Sequence, residues 1–146
     1  MWRRVLSRAW AITVGLVALA FWGIGARALV SDNGIINGEM VAVAKWVAAN
    51  TPKGALVAAH DIGALGYFAE VQLIDLAGLV SPEVIPFIRD QAQIESFIRE
   101  RRAEYFINYP GWCPAFTREM RPVFQTGDLC DPAEPNLHMT VYQLSR

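Results

Sequence analysis

Hydrophobic and polar positions follow two regimes along the chain. From Ala9 to Ala26 no charged residue interrupts the run, which contains Trp10, Ile12, Val14, Leu16, Val17, Leu19, Phe21, Trp22 and Ile24. A membrane-spanning helix needs about 20 mostly apolar residues, with a lower end near 17. Ala28 to Val30 lengthen the span past Arg27, whose guanidinium can snorkel from a helix end to the headgroups. The pattern predicts a transmembrane anchor over 1–30, led by a basic flank. Beyond it the apolar runs are short and broken by Gly, Pro, Asn and Asp.

Those short runs predict a sequence of elements. Ser31 to Gly38 reads SDNGIING and is expected to be a turn-rich linker, 31–38, with the domain proper at 39–146. Glu39 to Ala49 has helical spacing, with Met40, Val43, Ala44 and Val47 on one face. Asn37 is placed to cap its start, and Asn50 and Pro52 end it. Ala55 to Ala59 is a short apolar run expected as a buried strand, Ile62 to Ala69 a short helix, and Gln72 to Leu76 a second strand. A helix between two short strands is a βαβ unit, which implies a parallel pair. Ser81-Pro82-Glu83 is a helix-start signal, and Asp90 with Gln93 resembles a capping box for a helix that buries Ile94, Phe97 and Ile98. Glu104 to Tyr109 gives a third strand. Pro122 to Thr126 and Met139 to Leu144 are two more, expected as an antiparallel pair at a sheet edge. The predicted fold class is therefore α/β: a transmembrane helix, then a small three-layer domain with a mainly parallel sheet and a C-terminal antiparallel strand pair.

Charge sets the orientation. Arg3, Arg4 and Arg8 precede the apolar run and only Arg27 lies at its far end, so the positive-inside rule puts the N-terminus in the cytoplasm and the domain outside. A cleaved signal peptide is the competing reading, with Ala18-Leu19-Ala20 as a cleavage site. The run is longer than a signal core of about 7–15 residues and continues into Phe21-Trp22, which favours a retained anchor in the cell membrane. Residues 1–31 hold four arginines and no acids, which leaves nine basic and fourteen acidic residues in the remainder. An acidic domain is a poor nucleic-acid partner. The lipid bilayer is the partner this part of the sequence implies.

The candidate chemistry gathers at strand ends. His60 and Asp61 follow the first strand, where open α/β sheets bind ligands, and could do acid–base work. The plainer alternative is that Asp61 caps a helix and His60 is a loop residue. Asp75 ends the second strand before Ala77-Gly78 and is expected near Asp61, either as a second rim carboxylate or as the cap of that turn. Tyr109, Trp112 and Phe116 form an aromatic cluster after the third strand, suited to sugar or lipid contact or to a local mini-core. His60, Asp61, Asp75, Tyr109 and Trp112 make up the candidate binding rim. Cys113 and Cys130 lie in one irregular region, and in an oxidising compartment the default is a disulfide. No short-spaced ligand pair suggests a metal, and no G-x-G-x-x-G, P-loop or G-x-S-x-G motif suggests a cofactor or a catalytic residue.

The run WVAANTPKGALVAAHDIGALGYFAEVQLIDLAGLVSPEVIPFIRD resembles the C-terminal extracytoplasmic region of bacterial multipass membrane glycosyltransferases of the GT-C type. These are similar to protein mannosyltransferases and depend on polyprenyl-phosphate sugars. Asn50-Thr51-Pro52, Asp61-Ile62-Gly63 and Asp75-Leu76-Ala77-Gly78-Leu79 carry the resemblance, and Tyr105-Phe106-Ile107 and Pro110-Gly111-Trp112 continue it, over about residues 39–114. Ala59-His60-Asp61-Ile62-Gly63 is a more distant echo of the soluble domain of oligosaccharyltransferase catalytic subunits, sharing the aspartate and the glycine of their W-W-D-Y-G motif. GT-C catalytic acids lie in a loop among many membrane helices, and this chain shows one such helix. The resemblance implies an accessory or C-terminal extracytoplasmic domain that positions acceptor or lipid-linked donor, not a complete enzyme by itself. Its implied partners are a multipass glycosyltransferase or a polyprenyl-phosphate sugar. The alternative is a membrane-anchored binding or scaffold module unrelated to sugar transfer.

Overall fold

The structure, a computed structural model, describes residues 2–109, 111–118, 120–127 and 138–144. It comprises two compact units, residues 1–35 and 36–146.

The first unit is helix α1, Trp2–Ile35, which buries none of its residues. The Ser7 and Thr13 hydroxyls donate to the carbonyls of Arg4 and Ala9, at 3.1 and 3.0 Å. These two hydroxyls thus find partners in the preceding turn of the helix itself. By length and composition this helix can cross a membrane, as an anchor or a signal sequence does.

The expected linker at 31–38 is not a turn. Helical backbone runs from Trp2 to Asn50, and Ile36–Val41 is a π-helical turn between α1 and helix α2, Ala42–Asn50. Asn37 lies inside that turn and not at the start of a helix. The Asn and Gly residues are weak helix formers, but each costs at most about 1 kcal/mol, and strong helical runs on both sides carry the helix through them. Asn50 and Thr51 end α2. The Asn50 amide donates to the Trp46 carbonyl at 2.8 Å, and the Thr51 hydroxyl to that of Val47 at 2.8 Å.

The second unit continues with β1 (Leu56–Ala59), α3 (Gly63–Phe68), β2 (Gln72–Asp75), a 3₁₀ turn (Pro82–Phe87), α4 (Gln91–Glu100), β3 (Tyr105–Asn108), a one-turn helix α5 (Pro114–Thr117), β4 (Arg121–Gln125) and β5 (Thr140–Gln143). The five strands form one mixed sheet in the order β2-β1-β3-β5-β4. β1 pairs parallel with β2 and β3, and β5 runs antiparallel between β3 and β4. Pro122 lies on β4, the edge strand, where a missing N–H is tolerated, beside an irregularity between Pro122 and Phe124.

Alternation along the strands splits the core in two. Val57, Ala59, Tyr105, Ile107 and Val141 pack with Val43, Ala44 and Val47 of α2 and Leu65 of α3. Ala58, Phe106 and Tyr142 pack with Ile94 and Ile98 of α4 and with Phe116 of α5. This period of two puts α2 and α3 on one face and α4 on the other, the expected three layers. Each fully buried side chain such as Ile98 contributes about 1.5–3 kcal/mol relative to exposure. The sequence signal at α4 is accurate: Asp90 Oδ1 accepts from the backbone of Ala92 and Gln93 at 3.1 Å, and Gln93 Nε2 donates back to Oδ2 at 2.7 Å.

Candidate functional site at the carboxyl edge of the sheet

Register fixes which residues share an edge. Ala59 lies opposite Asp75 and Ile107, Asn108 lies opposite Thr140, and Gln125 lies opposite Thr140. The carboxyl ends of β1, β2, β3 and β4 and the start of β5 therefore lie along one rim. Chain order reverses between β1 and β3, so the loops after those two strands flank a topological switch point, the usual ligand position in open α/β sheets.

His60 and Asp61 follow β1 and are half-buried. His60 Nδ1 lies 3.7 Å from Asp61 Oδ1, an ion-pair distance when the imidazole is protonated. Asp61 does not cap α3, whose first flanking residue is Ile62 and which has no side-chain cap. The His60 ring meets Trp112 edge-on, centroids 4.2 Å apart and planes at 67°. That contact joins the loop after β1 to the loop after β3 across the switch point. Trp112 is half-exposed, with 50% of its surface open.

Asn108, which the sequence reading passed over, sets this geometry. It is buried at the end of β3, its Nδ2 donates to the Trp112 carbonyl at 3.2 Å, and its Oδ1 accepts from the Tyr109 N–H at 2.9 Å. The Trp112 N–H closes the turn on the Tyr109 carbonyl at 2.9 Å. An Asn between an apolar strand and Pro110-Gly111 was the available signal, since Asx side chains brace turns in this way. Tyr109 is half-buried and packs against the α2-side core.

Asp75 is a brace. It is fully buried; Oδ1 accepts from the Ala77 N–H at 2.9 Å and Oδ2 from the Val80 N–H at 2.7 Å. Its own N–H donates to Ser81 Oγ at 3.2 Å. Ser81, expected to cap the following helix, makes no such bond and ties the loop to β2 instead. Asp75 thus lies on the rim by register, but its carboxylate faces the loop backbone and not solvent. The alternative read from sequence, a cap of the turn into Gly78, matches this arrangement.

Cys113 is a buried free thiol. Burial pushes its pKa up, and the Glu95 carboxylate pushes it further in the same direction. Cys130, its expected disulfide partner, lies outside the described residues. Cys113 also has φ of 51°, a left-handed conformation that bulky residues adopt rarely. Its carbonyl accepts from the backbone of Thr117 at 3.1 Å. Phe116 is buried against Phe106, centroids 5.3 Å apart, so it belongs to the core.

A second polar cluster on the rim was not foreseen. Glu39, in the π-helical turn, is almost fully buried. Its Oε2 accepts from the Thr126 hydroxyl and, at 2.7 Å, from the Met139 N–H. Its Oε1 lies 3.6 Å from His138 Nδ1, a buried atom with no hydrogen bond. The acid thereby ties the start of the second unit to the ends of β4 and β5. Among the described residues, no three His, Cys, Asp or Glu side chains gather as a metal site. A cavity of about 90 Å³ lies at the opposite edge, lined by Ala48, Thr51, Pro52, Lys53, Phe68, Glu70 and Val71, with Lys53 Nζ 2.8 Å from Glu70 Oε2 on its exposed side.

Comparison with known proteins agrees with the boundary between the two units. No curated protein and no solved structure matches the chain. The sequence pattern of one family, described as a domain of unknown function, DUF8728, matches residues 33–143, which takes in the π-helical turn and the whole sheet. The chain belongs to the DUF8728 family.

Proposed function

We propose that this protein is a membrane-anchored, extracytoplasmic accessory domain of a glycosyltransferase, and that its carboxyl rim binds a sugar carried by an acceptor or a polyprenyl phosphate. The observation that carries the reading is the edge contact of His60 with Trp112 at the switch point. An aromatic face half open to water, beside an imidazole and a carboxylate, suits a sugar ring. The C–H face of the ring packs on the indole, and its hydroxyls bond to His60 and Asp61. The resemblance over residues 39–114 supports the substrate class. Helix α1 supports the tether, because its length and composition suit a membrane span. Asn108 braces the loop that carries Trp112, which lowers the ordering cost of binding.

The test is calorimetric titration of the full chain in detergent micelles with polyprenyl-phosphate mannose, and with the same polyprenyl phosphate lacking sugar. The sugar-bearing lipid should bind saturably, and Trp112→Ala and His60→Ala should each weaken it about tenfold, the equivalent of about 1.4 kcal/mol. Equal binding of both lipids, or binding indifferent to both substitutions, contradicts the proposal.

A further inference from the structure

The segment between β2 and α4 exposes apolar side chains that its own fold does not use. Leu79, Val80 and Ile85 have 79%, 65% and 56% of their surface open, while Val84 among them is fully buried. Exposed apolar residues scattered singly are ordinary; a group carried on one braced loop marks an interaction site. The group is held together by Gly78. A Cβ there would approach Ile85 Cγ1 to 2.8 Å, so Ile85 folds back onto the turn that carries Leu79 and Val80. Gly78 also has φ of +78°, so this turn needs glycine twice over.

The loop is suited to an apolar neighbour. Asp75 satisfies the N–H groups of Ala77 and Val80, and the Gly78 N–H donates to the Asp75 carbonyl at 3.3 Å. Pairing the N–H groups of Ala77, Gly78 and Val80 lowers the cost of bringing this loop to the headgroup region, short of the hydrocarbon core from which irregular backbone is excluded. Charge points the same way. Between Asp75 and Asp90 the one carboxylate is Glu83, which Arg101 neutralises at 2.9 Å, and the one base is Arg89, which is exposed. The segment therefore offers anionic headgroups an exposed cation, while the neighbouring Asp90 carboxylate is engaged at the N-terminus of α4.

We propose that Leu79, Val80 and Ile85 form a bilayer contact, entering the headgroup boundary of an anionic membrane with Arg89 beside them. The inference rests on the anchor reading of α1, because a tethered domain needs only weak additional affinity to stay on the surface.

The experiment uses the full chain in phosphatidylglycerol–phosphatidylethanolamine vesicles, with Leu79→Cys or Val80→Cys carrying an environment-sensitive fluorophore in a Cys113→Ser, Cys130→Ser background. Glu100→Cys, on the exposed end of α4, is the control, and the thermal midpoint of each labelled chain confirms folding. Nitroxide on the lipid should quench positions 79 and 80 while iodide in the water does not, with the reverse at position 100. Quenching of 79 and 80 by iodide overturns the proposal. Shielding from both quenchers assigns the patch to a protein surface and overturns it equally. Carbonate extraction, run in parallel, separates the two readings. A chain that stays with the vesicles while 79 and 80 face water loses only this inference, and a chain that is released loses the anchor reading too.

Discussion

Asp61 and Asp75 both follow apolar strands on one rim, yet the fold puts them to different uses. Asp75 has no exposed surface and accepts two backbone N–H bonds, so replacing it by alanine would strand two donors at about 1–3 kcal/mol each. Asp61 keeps open surface beside His60 and remains available to a ligand. At this scale the titration of buried groups gives a prediction. The Cys113 thiol is pushed up from 9.0, first by burial and then by Glu95, and Tyr142 is pushed up from 10.0 by burial, against the pull of the Thr140 and Thr117 hydroxyls. Both groups therefore ionise more readily in the unfolded chain. Their contribution to stability is complete below about pH 9 and declines as the pH rises through the folded values. The urea midpoint should fall from pH 8 to pH 10, and Cys113→Ala should reduce the fall. A midpoint that does not move, or a fall untouched by the substitution, contradicts the burial of a free thiol. Much of this scale is legible in sequence where a side chain acts on its neighbours: Asp75 before a Gly turn and Asp90 before α4 both announce their hydrogen bonds. His60 with Trp112 is not, because nothing local says that two loops some fifty residues apart will meet.

Among the elements, the strands and α4 are readable because each apolar run is bounded by Gly, Pro or a capping acid, and the 2.0 and 3.6 periodicities differ over such spans. The segment 31–41 is not. Ser31-Asp32-Asn33-Gly34 has the composition of a turn, and only the helices on either side make it helical. The π-helical turn has a physical reason to sit where it does. A π turn takes in an extra residue and shifts the side chains after it around the axis, and such turns recur at functional positions. Here the turn carries Glu39, which faces Thr126 and Met139, the latter a hundred residues along the chain. No periodicity could join residues so far apart, which is why the cluster is invisible in the sequence. Glu39→Ala removes the acceptor of the buried Met139 N–H, leaves the Thr126 hydroxyl only the Met139 carbonyl at 3.3 Å, and takes away the carboxylate beside His138 Nδ1. We expect a loss of about 2–5 kcal/mol on that ground, with Glu39→Gln, which keeps one acceptor oxygen, costing less. Denaturant midpoints of the two variants check this. Equal and negligible effects would remove Glu39 as the tie between the π turn and the C-terminal strands.

At the scale of the whole molecule, one apolar helix and one acidic α/β unit carry different jobs. The first has no buried residues and suits a bilayer; the second has a core on both faces of a five-stranded sheet. The proposed sugar site and the proposed bilayer contact both depend on α1 holding the second unit at the outer face of a membrane. The three arginines before the apolar run predict that orientation. The most direct test is a phosphatase that is active only outside the cytoplasm, fused after Arg146, with enzyme activity read in the alkali-washed membrane fraction. The account predicts activity that stays with the membranes. An inactive fusion, or an active one released by the wash, would contradict it.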